Sequence, residues 1–103
     1  MTESAPTLAD ITHHQFAACL NQSFRVRLGD TSLETELIQV SPWGSPLPGQ
    51  RQPFSLTFRG ASEPILPQQR IYSVENAMIG TLELFLVPIG PDEQGMCYEA
   101  VFS

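Results

Sequence analysis

The chain has 103 residues, of which 42% are hydrophobic, a size and composition typical of one globular domain. Eleven acidic against five basic residues give a formal net charge of −6, which disfavours binding to a nucleic-acid backbone or an anionic membrane. The apolar stretches are far shorter than the roughly 20 residues that cross a bilayer, and the N-terminal MTESAPTLAD lacks the pattern of a signal peptide. We therefore expect a soluble, cytoplasmic protein with no nucleic-acid or membrane partner.

The chain is predicted to hold a single domain. Residues 1–9 carry no hydrophobic periodicity and are expected to be a mobile segment, followed by one β domain over residues 10–103. The spacing of the two cysteines, Cys19 and Cys97, fits neither a zinc-ligand pair nor a redox CxxC motif. We interpret them as two isolated buried thiols, with a disulfide between the early helix and the last strand as the alternative.

A short helix is predicted at residues 13–20. Thr12 and Gln15 have the spacing of a capping box at its start, and Asn21 is a typical left-handed stop at its end. The apolar positions recur at three- and four-residue spacing, which predicts one buried stripe made of Phe16, Ala17 and Leu20. We expect this helix to plug one end of a sheet.

From Phe24 the hydrophobic period changes to two, with apolar side chains on one face and Arg25 and Arg27 on the other. This pattern indicates a half-buried strand. A two-residue turn at Gly29 and Asp30 would make apolar residues meet inside and opposite charges pair outside, with Val26 facing Leu33 and Arg25 facing Glu34. The self-consistent register favours a β-hairpin here.

The following strand shifts its inward-facing set from Leu33 and Leu37 to Ile38 and Val40. This change of parity predicts a β-bulge near Leu37 and a bent strand. Residues 41–53 then contain four of the nine prolines and two of the seven glycines, which predicts a long loop.

Further short strands follow this loop. Alternation resumes at residues 54–58 and 71–74, on either side of a second proline-containing loop, and two strongly patterned segments lie at residues 81–87 and 96–102. A turn-rich run at residues 88–95 joins the last two. About six short strands with one helix predict a mainly β fold, either an antiparallel barrel or a curled sandwich.

The strand at residues 81–87 is apolar on both faces, with Phe85 and Val87 opposite its leucines. Either the helix or the proline-rich loop covers the second face within the monomer, or a subunit or partner buries it. An open edge strand would offer a second route to association, by sheet extension. This strand is the clearest indication of a binding surface in the sequence.

No pattern in the sequence predicts catalysis. His13 and His14 are adjacent in a helical turn and point about 100° apart, so we interpret them as exposed or rim side chains. Glu34 and Glu36 share one strand face, where the arginines of the neighbouring strand offer ordinary salt bridges. Neither a GxSxG elbow nor a glycine-rich phosphate loop occurs. We therefore predict no catalytic residue, no metal and no cofactor.

Four segments together resemble a family of small bacterial domains of unknown function: FSLTFRG at 54–60, LPQQRIYSVEN at 66–76, IGTLELFLVPIG at 79–90 and YEAVF at 98–102. The resemblance covers most of the chain from Phe16 onward, and Ser103 departs from it where asparagine is expected. Members of the family are similar to proteins associated with genes for phage-tail-like or collar-like surface proteins, which implies an accessory or assembly role. The resemblance implies no catalytic residues.

The sequence thus predicts a non-enzymatic protein-interaction or assembly module, accessory to a phage-tail-like or surface structure, whose partner is another protein or a second copy. Planar and bidentate side chains at loops and strand ends are typical interface anchors, which selects Trp43, Arg51, Arg59 and Tyr72. Trp43 has an alternative role as a lid packed over a barrel end. The rival hypothesis is a small-ligand binder or minor enzyme at the barrel mouth, where Tyr72, Glu75 and His14 would converge.

Overall fold

The computed structural model describes residues 11–61 and 70–102. The segment predicted to be mobile, residues 1–9, lies outside the described residues. Inside them the chain forms α1 (His13–Ala17), β1 (Ser23–Leu28), β2 (Thr31–Pro42), β3 (Phe54–Gly60), β4 (Arg70–Asn76), β5 (Gly80–Pro91) and β6 (Met96–Phe102). The predicted fold class, mainly β with about six strands and one short helix near the N-terminus, is confirmed.

The six strands close into one antiparallel barrel in the order β1-β2-β3-β6-β5-β4. Two meanders, β1 to β3 and β4 to β6, meet along the β3–β6 and β1–β4 contacts. The β3–β6 ladder spans all of β3, whereas β1 and β4 pair only through Arg25 with Glu75 and Val26 with Val74. A barrel, and not a curled sandwich, is therefore the architecture of this domain.

The β1–β2 hairpin has the predicted register. Val26 lies opposite Leu33, and Arg25 lies opposite Glu34, to which its guanidinium is paired. Gly29 adopts φ +69°, a conformation that glycine reaches without steric cost, so it suits the first position of the tight turn. The local sequence is therefore enough to predict the register of this hairpin.

A register shift between Leu37 and Gln39 marks the predicted bulge in β2. Beyond the bulge Val40 lies opposite the buried Leu56 and packs against the core, while Ile38 is half-buried. The prediction that a loop begins at Ser41 is wrong by two residues. Residues 41 and 42 still pair with β3. The strand tolerates Pro42 because this residue is its last one, where a missing backbone N–H is acceptable.

The predicted turn at residues 88–95 is right for residues 92–95 and wrong for residues 88–91, because β5 continues through its two prolines. Pro88 lies opposite Tyr98, a register shift separates it from Gly90, and Pro91 lies opposite Met96. The bulge at this shift accommodates residues that cannot supply every ladder hydrogen bond. The actual turn is the four-residue run 92–95.

The helix α1 ends at Ala17, earlier than predicted, and residues 18–22 form turns and irregular backbone before β1. Gln15 Oε1 accepts a hydrogen bond of 2.8 Å from the backbone N of Thr12, as a capping box requires. Asn21 has φ +70°, the left-handed conformation predicted for it, but it does not stop the helix, which ends at Ala17 with Ala18 as its C-cap. The predicted buried stripe is right at Phe16 and wrong at Ala17 and Leu20, which are exposed. Cys19, beyond the end of the helix, is buried.

Aromatic side chains fill the barrel end beneath α1. The ring of Phe16 lies 5.8 Å from that of Phe54, 5.5 Å from that of Phe102 and 6.5 Å from that of Phe24. The rings of Phe54 and Phe102 stack at 4.5 Å. The predicted plug is therefore present. In the part of the chain that the structure describes, no helix has the length and apolar character needed to cross a membrane.

Both cysteines are free and buried, as predicted. Cys19 belongs to the core beside α1, and burial raises the pKa of its thiol. Cys97 lies on β6 opposite Arg59. Burial also raises the pKa of Cys97, and the nearby carboxylate of Asp92 adds to that effect.

Candidate functional site

Three exposed apolar side chains lie on the outer wall of the barrel, on β4, β5 and β6. Ile71 is 62% exposed, Phe85 is 51% exposed and Val101 is 59% exposed. Ile71 and Phe85 are directly opposite each other in the β4–β5 ladder, and all three residues line one groove. These three residues are called the outer patch. A contiguous exposed apolar cluster often marks a surface that another molecule covers.

The ladder between β5 and β6 covers only part of both strands. It runs from the turn to the pair Val87 and Glu99 and stops there. Among the described residues, β5 before Val87 pairs with β4 alone, and β6 beyond Glu99 pairs with β3 alone. Where this ladder ends, the register places residues 84–86 of β5 beside residues 100–102 of β6 with no pairing between them in the described part of the chain, and this stretch of the wall is called here the β5–β6 cleft.

A groove of about 290 Å³ occupies this cleft. It is lined by the buried side chains Leu84, Ala100 and Phe102 as well as by the outer patch, so it reaches from the surface to the core layer. Two charged residues, Arg51 and Glu83, also line it. The cleft is thus an apolar recess with one positive and one negative group at its border.

Arg51, one of the four predicted contact residues, lies at the border of this cleft. Its Nη1 donates a 2.7 Å hydrogen bond to the carbonyl of Ile11. Its guanidinium carbon lies 5.7 Å from the ring centroid of Phe54 and 5.4 Å from that of Phe102. Arg51 therefore fixes the segment before α1 to the aromatic barrel end and also presents charge to the groove.

Trp43 lies on the loop between β2 and β3, and its side chain is 44% exposed. Its backbone N donates a 2.9 Å hydrogen bond to the carbonyl of Pro53, which closes the base of the loop. The side-chain amide of Gln52 donates to the carbonyls of Trp43 and Gly44 at 2.6 and 2.9 Å. The loop thus presents Trp43 from a braced backbone, and the ring lacks the burial of a packed lid.

Arg59 is engaged within the molecule. Its Nε and Nη2 lie 2.8 and 2.6 Å from Oδ2 of Asp92, in the β5–β6 turn. The other oxygen of Asp92 accepts hydrogen bonds from the backbone N–H groups of Gln94 and Gly95 at 2.8 and 3.0 Å. Arg59, followed by the Gln94 amide, lowers the pKa of Asp92 to about 2. Arg59 thus ties β3 to this turn.

Tyr72 is only 3% exposed and belongs to the core, so the expectation that it sits at the surface is wrong. It occupies an inward position in the middle of β4, and successive positions of a strand alternate between faces. For the same reason Glu75, three residues later, faces outward, where it lies 3.8 Å from Arg27. The predicted convergence of Tyr72, Glu75 and His14 therefore does not occur.

A second groove, of about 380 Å³, lies on the outer face of β1 and β4. Its charged lining residues include Arg25 and Glu34, which are paired with each other. Their Cα register places them as the cross-strand pair expected from the sequence. Within residues 11–61 and 70–102, no three His, Cys, Asp or Glu side chains are placed to hold a metal ion. We interpret this groove as the space between surface ion pairs.

The sequence pointed to one member of the outer patch and missed the other two. Phe85 was recognised because its strand is apolar on both faces. Ile71 and Val101 occupy outward positions on strands with similar two-sided apolar character, RIYSV and EAVF. Searching every strand for apolar residues on both faces would have found them. The cleft itself left no local signal, since it depends on where two ladders end.

The fold and the cleft define a small, closed, antiparallel β-barrel domain with an apolar groove on its outer wall. The family model described as Domain of unknown function (DUF6916) matches residues 11–102, and the chain belongs to this family. The sequence resemblance to a family of small domains of unknown function is thereby confirmed. No curated protein and no solved structure matches the chain.

Proposed function

We propose that this domain is a non-enzymatic protein-interaction module and that its partner binds the outer patch and the β5–β6 cleft. The observation that carries the proposal is the side-by-side exposure of Ile71, Phe85 and Val101 around a groove that reaches the core. Exposed apolar side chains clustered beside a groove with charged residues in its lining are typical of the anchoring centre of an interface.

The packing of the barrel interior favours this proposal over a small-ligand site at the barrel mouth. Phenylalanine rings and α1 fill the end where the sequence placed that mouth. The three side chains expected to form the ligand site lie on different faces of their elements. The outer wall is therefore the better candidate for binding.

The proposal extends to an accessory or assembly role in a phage-tail-like or surface structure. Its support is the resemblance of four sequence segments to domains found with such genes. A module of this kind needs a rigid scaffold with a binding surface, and a closed barrel with an outer patch has both. In this setting the partner is a structural protein, and Trp43 is a second candidate contact.

A crosslinked pull-down from the native host tests the proposal. We expect the wild-type domain to capture a specific protein, and Phe85→Ser to lose it, because the substitution removes the ring at the centre of the patch. Ile89→Ser is the matched control, since Ile89 is on the same strand, is equally 51% exposed and does not line the groove. Retention of the captured protein by folded Phe85→Ser would contradict the proposal.

A further inference from the structure

We infer that the outer patch docks a basic protein surface, in which an apolar side chain lies between two lysine or arginine side chains. The inference deepens the proposed function and rests on it, because it names the chemistry of the partner that the same surface recognises. Three observations carry it: the arrangement of the outer patch, the two carboxylates beside it and the net charge of the chain.

The outer patch is a row that crosses three neighbouring strands. Ile71 lies opposite Phe85 in the β4–β5 ladder, and the β5–β6 register places Val101 on the other side of Phe85. With about 4.8 Å between neighbouring strands, the row is about 10 Å long at the level of the backbone. An apolar group of the partner placed over Phe85 would therefore contact both of its neighbours as well.

Two carboxylates lie on opposite sides of this row. Glu83 precedes Phe85 by two residues on β5, and Glu99 precedes Val101 by two residues on β6. Because β5 and β6 are antiparallel, these two steps lead away from the row in opposite directions. Each step along a strand face is about 7 Å, so the Cα atoms of Glu83 and Glu99 are about 14 Å apart. The row thus has one negative group on each side.

Both carboxylates are available to a partner. Within residues 11–61 and 70–102, Glu83 and Glu99 take part in no ion pair, and Glu83 is exposed while Glu99 is half-buried. Arg51, which also lines the groove, is engaged inside the molecule by the carbonyl of Ile11 and by two phenylalanine rings. Glu83 and Glu99 are therefore the charged groups beside the patch that gain most from a partner of opposite charge.

The charge of the chain opposes a second copy as the occupant. Each copy carries a formal net charge of −6, and packing two outer patches face to face would bring both copies of Glu83 and Glu99 together. Like charges at an interface lower affinity, whereas a basic partner is attracted by the same carboxylates and associates faster. The occupant that fits is a different protein with a basic and apolar surface.

Selection from a display library of random dodecapeptides, with the full-length chain as bait, tests this chemistry. We expect the enriched peptides to carry an apolar residue with lysine or arginine on both sides. Enrichment without this cationic bias, or no enrichment above an uncoated surface, overturns the inference. The peptide that binds most tightly then serves as the probe in titrations.

Charge variants of the chain assign the effect to the two carboxylates. Glu83→Gln and Glu99→Gln should each weaken binding of the selected peptide about threefold at low salt, and the double variant should reduce the dependence of Kd on salt. Glu93→Gln is the matched control, because it removes the same charge from an exposed position in the β5–β6 turn, away from the patch. Equal weakening by all three single substitutions would show an effect of net charge alone and contradict the inference.

Charge reversal separates recognition from a structural role of the two glutamates. We expect the double variant Glu83→Lys, Glu99→Lys to keep the circular dichroism spectrum of the wild type. It should bind a version of the peptide with glutamate in place of its cationic residues more tightly than the original peptide. If the reversed variant still prefers the original peptide, the carboxylates do not select the partner and the inference is wrong.

The inference and the proposed function fail on different results. A pull-down partner that Phe85→Ser loses, but that the Glu83→Gln, Glu99→Gln double variant binds as well as the wild type, leaves the proposed function intact and overturns the basic partner. Retention of that protein by Phe85→Ser overturns both. A wild-type dimer in sedimentation velocity that Phe85→Ser dissociates assigns the outer patch to self-association, which also overturns the inference.

Discussion

Gly95 closes the β5–β6 turn directly against the backbone at the end of β3. A Cβ atom at this position would overlap the carbonyl oxygen of Gly60 and lie 3.2 Å from its carbonyl carbon. Because these are backbone atoms, relief requires a shift of β3 itself. We expect Gly95→Ala to lower the free energy of unfolding by about 1–3 kcal/mol, measured by urea denaturation.

Gly60→Ala is the matched control for this substitution. Its Cβ would meet the side chains of Leu33 and Thr35 at 3.4 Å and the carbonyl oxygen of Glu34 at 3.5 Å, all ordinary van der Waals contacts. The expected change in the free energy of unfolding is below about 1 kcal/mol, because alanine also lowers the entropy of the unfolded chain and so offsets any small steric cost. Equal losses from the two alanines would contradict the steric account.

Asp92 makes the free energy of unfolding depend on pH in a defined acidic range. Its pKa is lowered to about 2 in the folded protein, from 3.8 for an unperturbed group. A lowered folded-state pKa contributes stability above the unfolded value, and this contribution is lost as pH falls through the folded value. The stability difference between wild type and Asp92→Asn should therefore be constant from pH 5 to 7 and shrink between about pH 4 and pH 2.

Denaturation curves collected across that pH range measure the difference. Glu83→Gln controls for the change in net charge, because it removes one exposed carboxylate from the same strand that leads into the turn. A wild-type advantage over Asp92→Asn that persists unchanged at pH 2 would show that the Arg59–Asp92 pair does not stabilise the fold.

At the scale of elements, α1 stabilises the barrel through one ring. Phe16 is fully buried among three other phenylalanines, whereas Leu20, just beyond the helix, is exposed. Phe16→Ala should cost about 3–5 kcal/mol. Leu20→Ala should change stability by less than about 0.5 kcal/mol. Thermal and urea unfolding of the two variants provide the comparison, and a similar cost for both would restore the longer helix predicted from the sequence.

Elements with a regular hydrophobic pattern could be predicted from the sequence, whereas elements that interrupt this pattern were predicted less well. The β1–β2 register followed from alternating residues around Gly29, and the bulge near Leu37 followed from a change of parity. The extent of β5 was misjudged because Pro88 and Pro91 normally end a strand. Here a bulge accommodates them, and a bulge between prolines has no periodicity from which to be recognised.

At the scale of the whole molecule, the barrel is held by ladders of unequal length. β3 pairs along its whole length with both neighbours, whereas the β1–β4 and β5–β6 ladders contain fewer residue pairs. The number of strands could be read from the sequence, but the ends of these ladders depend on closure of the barrel. For this reason the cleft, and with it most of the candidate site, could not be predicted, whereas the apolar side chain of Phe85 could.

Hydrogen exchange of the free protein, resolved by residue with NMR, tests most directly where the β5–β6 ladder ends. Amides of β3 should be protected continuously, because both of its edges are paired. Residues 81–86 should show alternating protection, with fast exchange at the amides that face the cleft, and residues 100–102 should contain fast-exchanging amides on the same side. Continuous protection of these two segments, equal to that of β3, would contradict the early end of the β5–β6 ladder and with it the cleft proposed as part of the binding site.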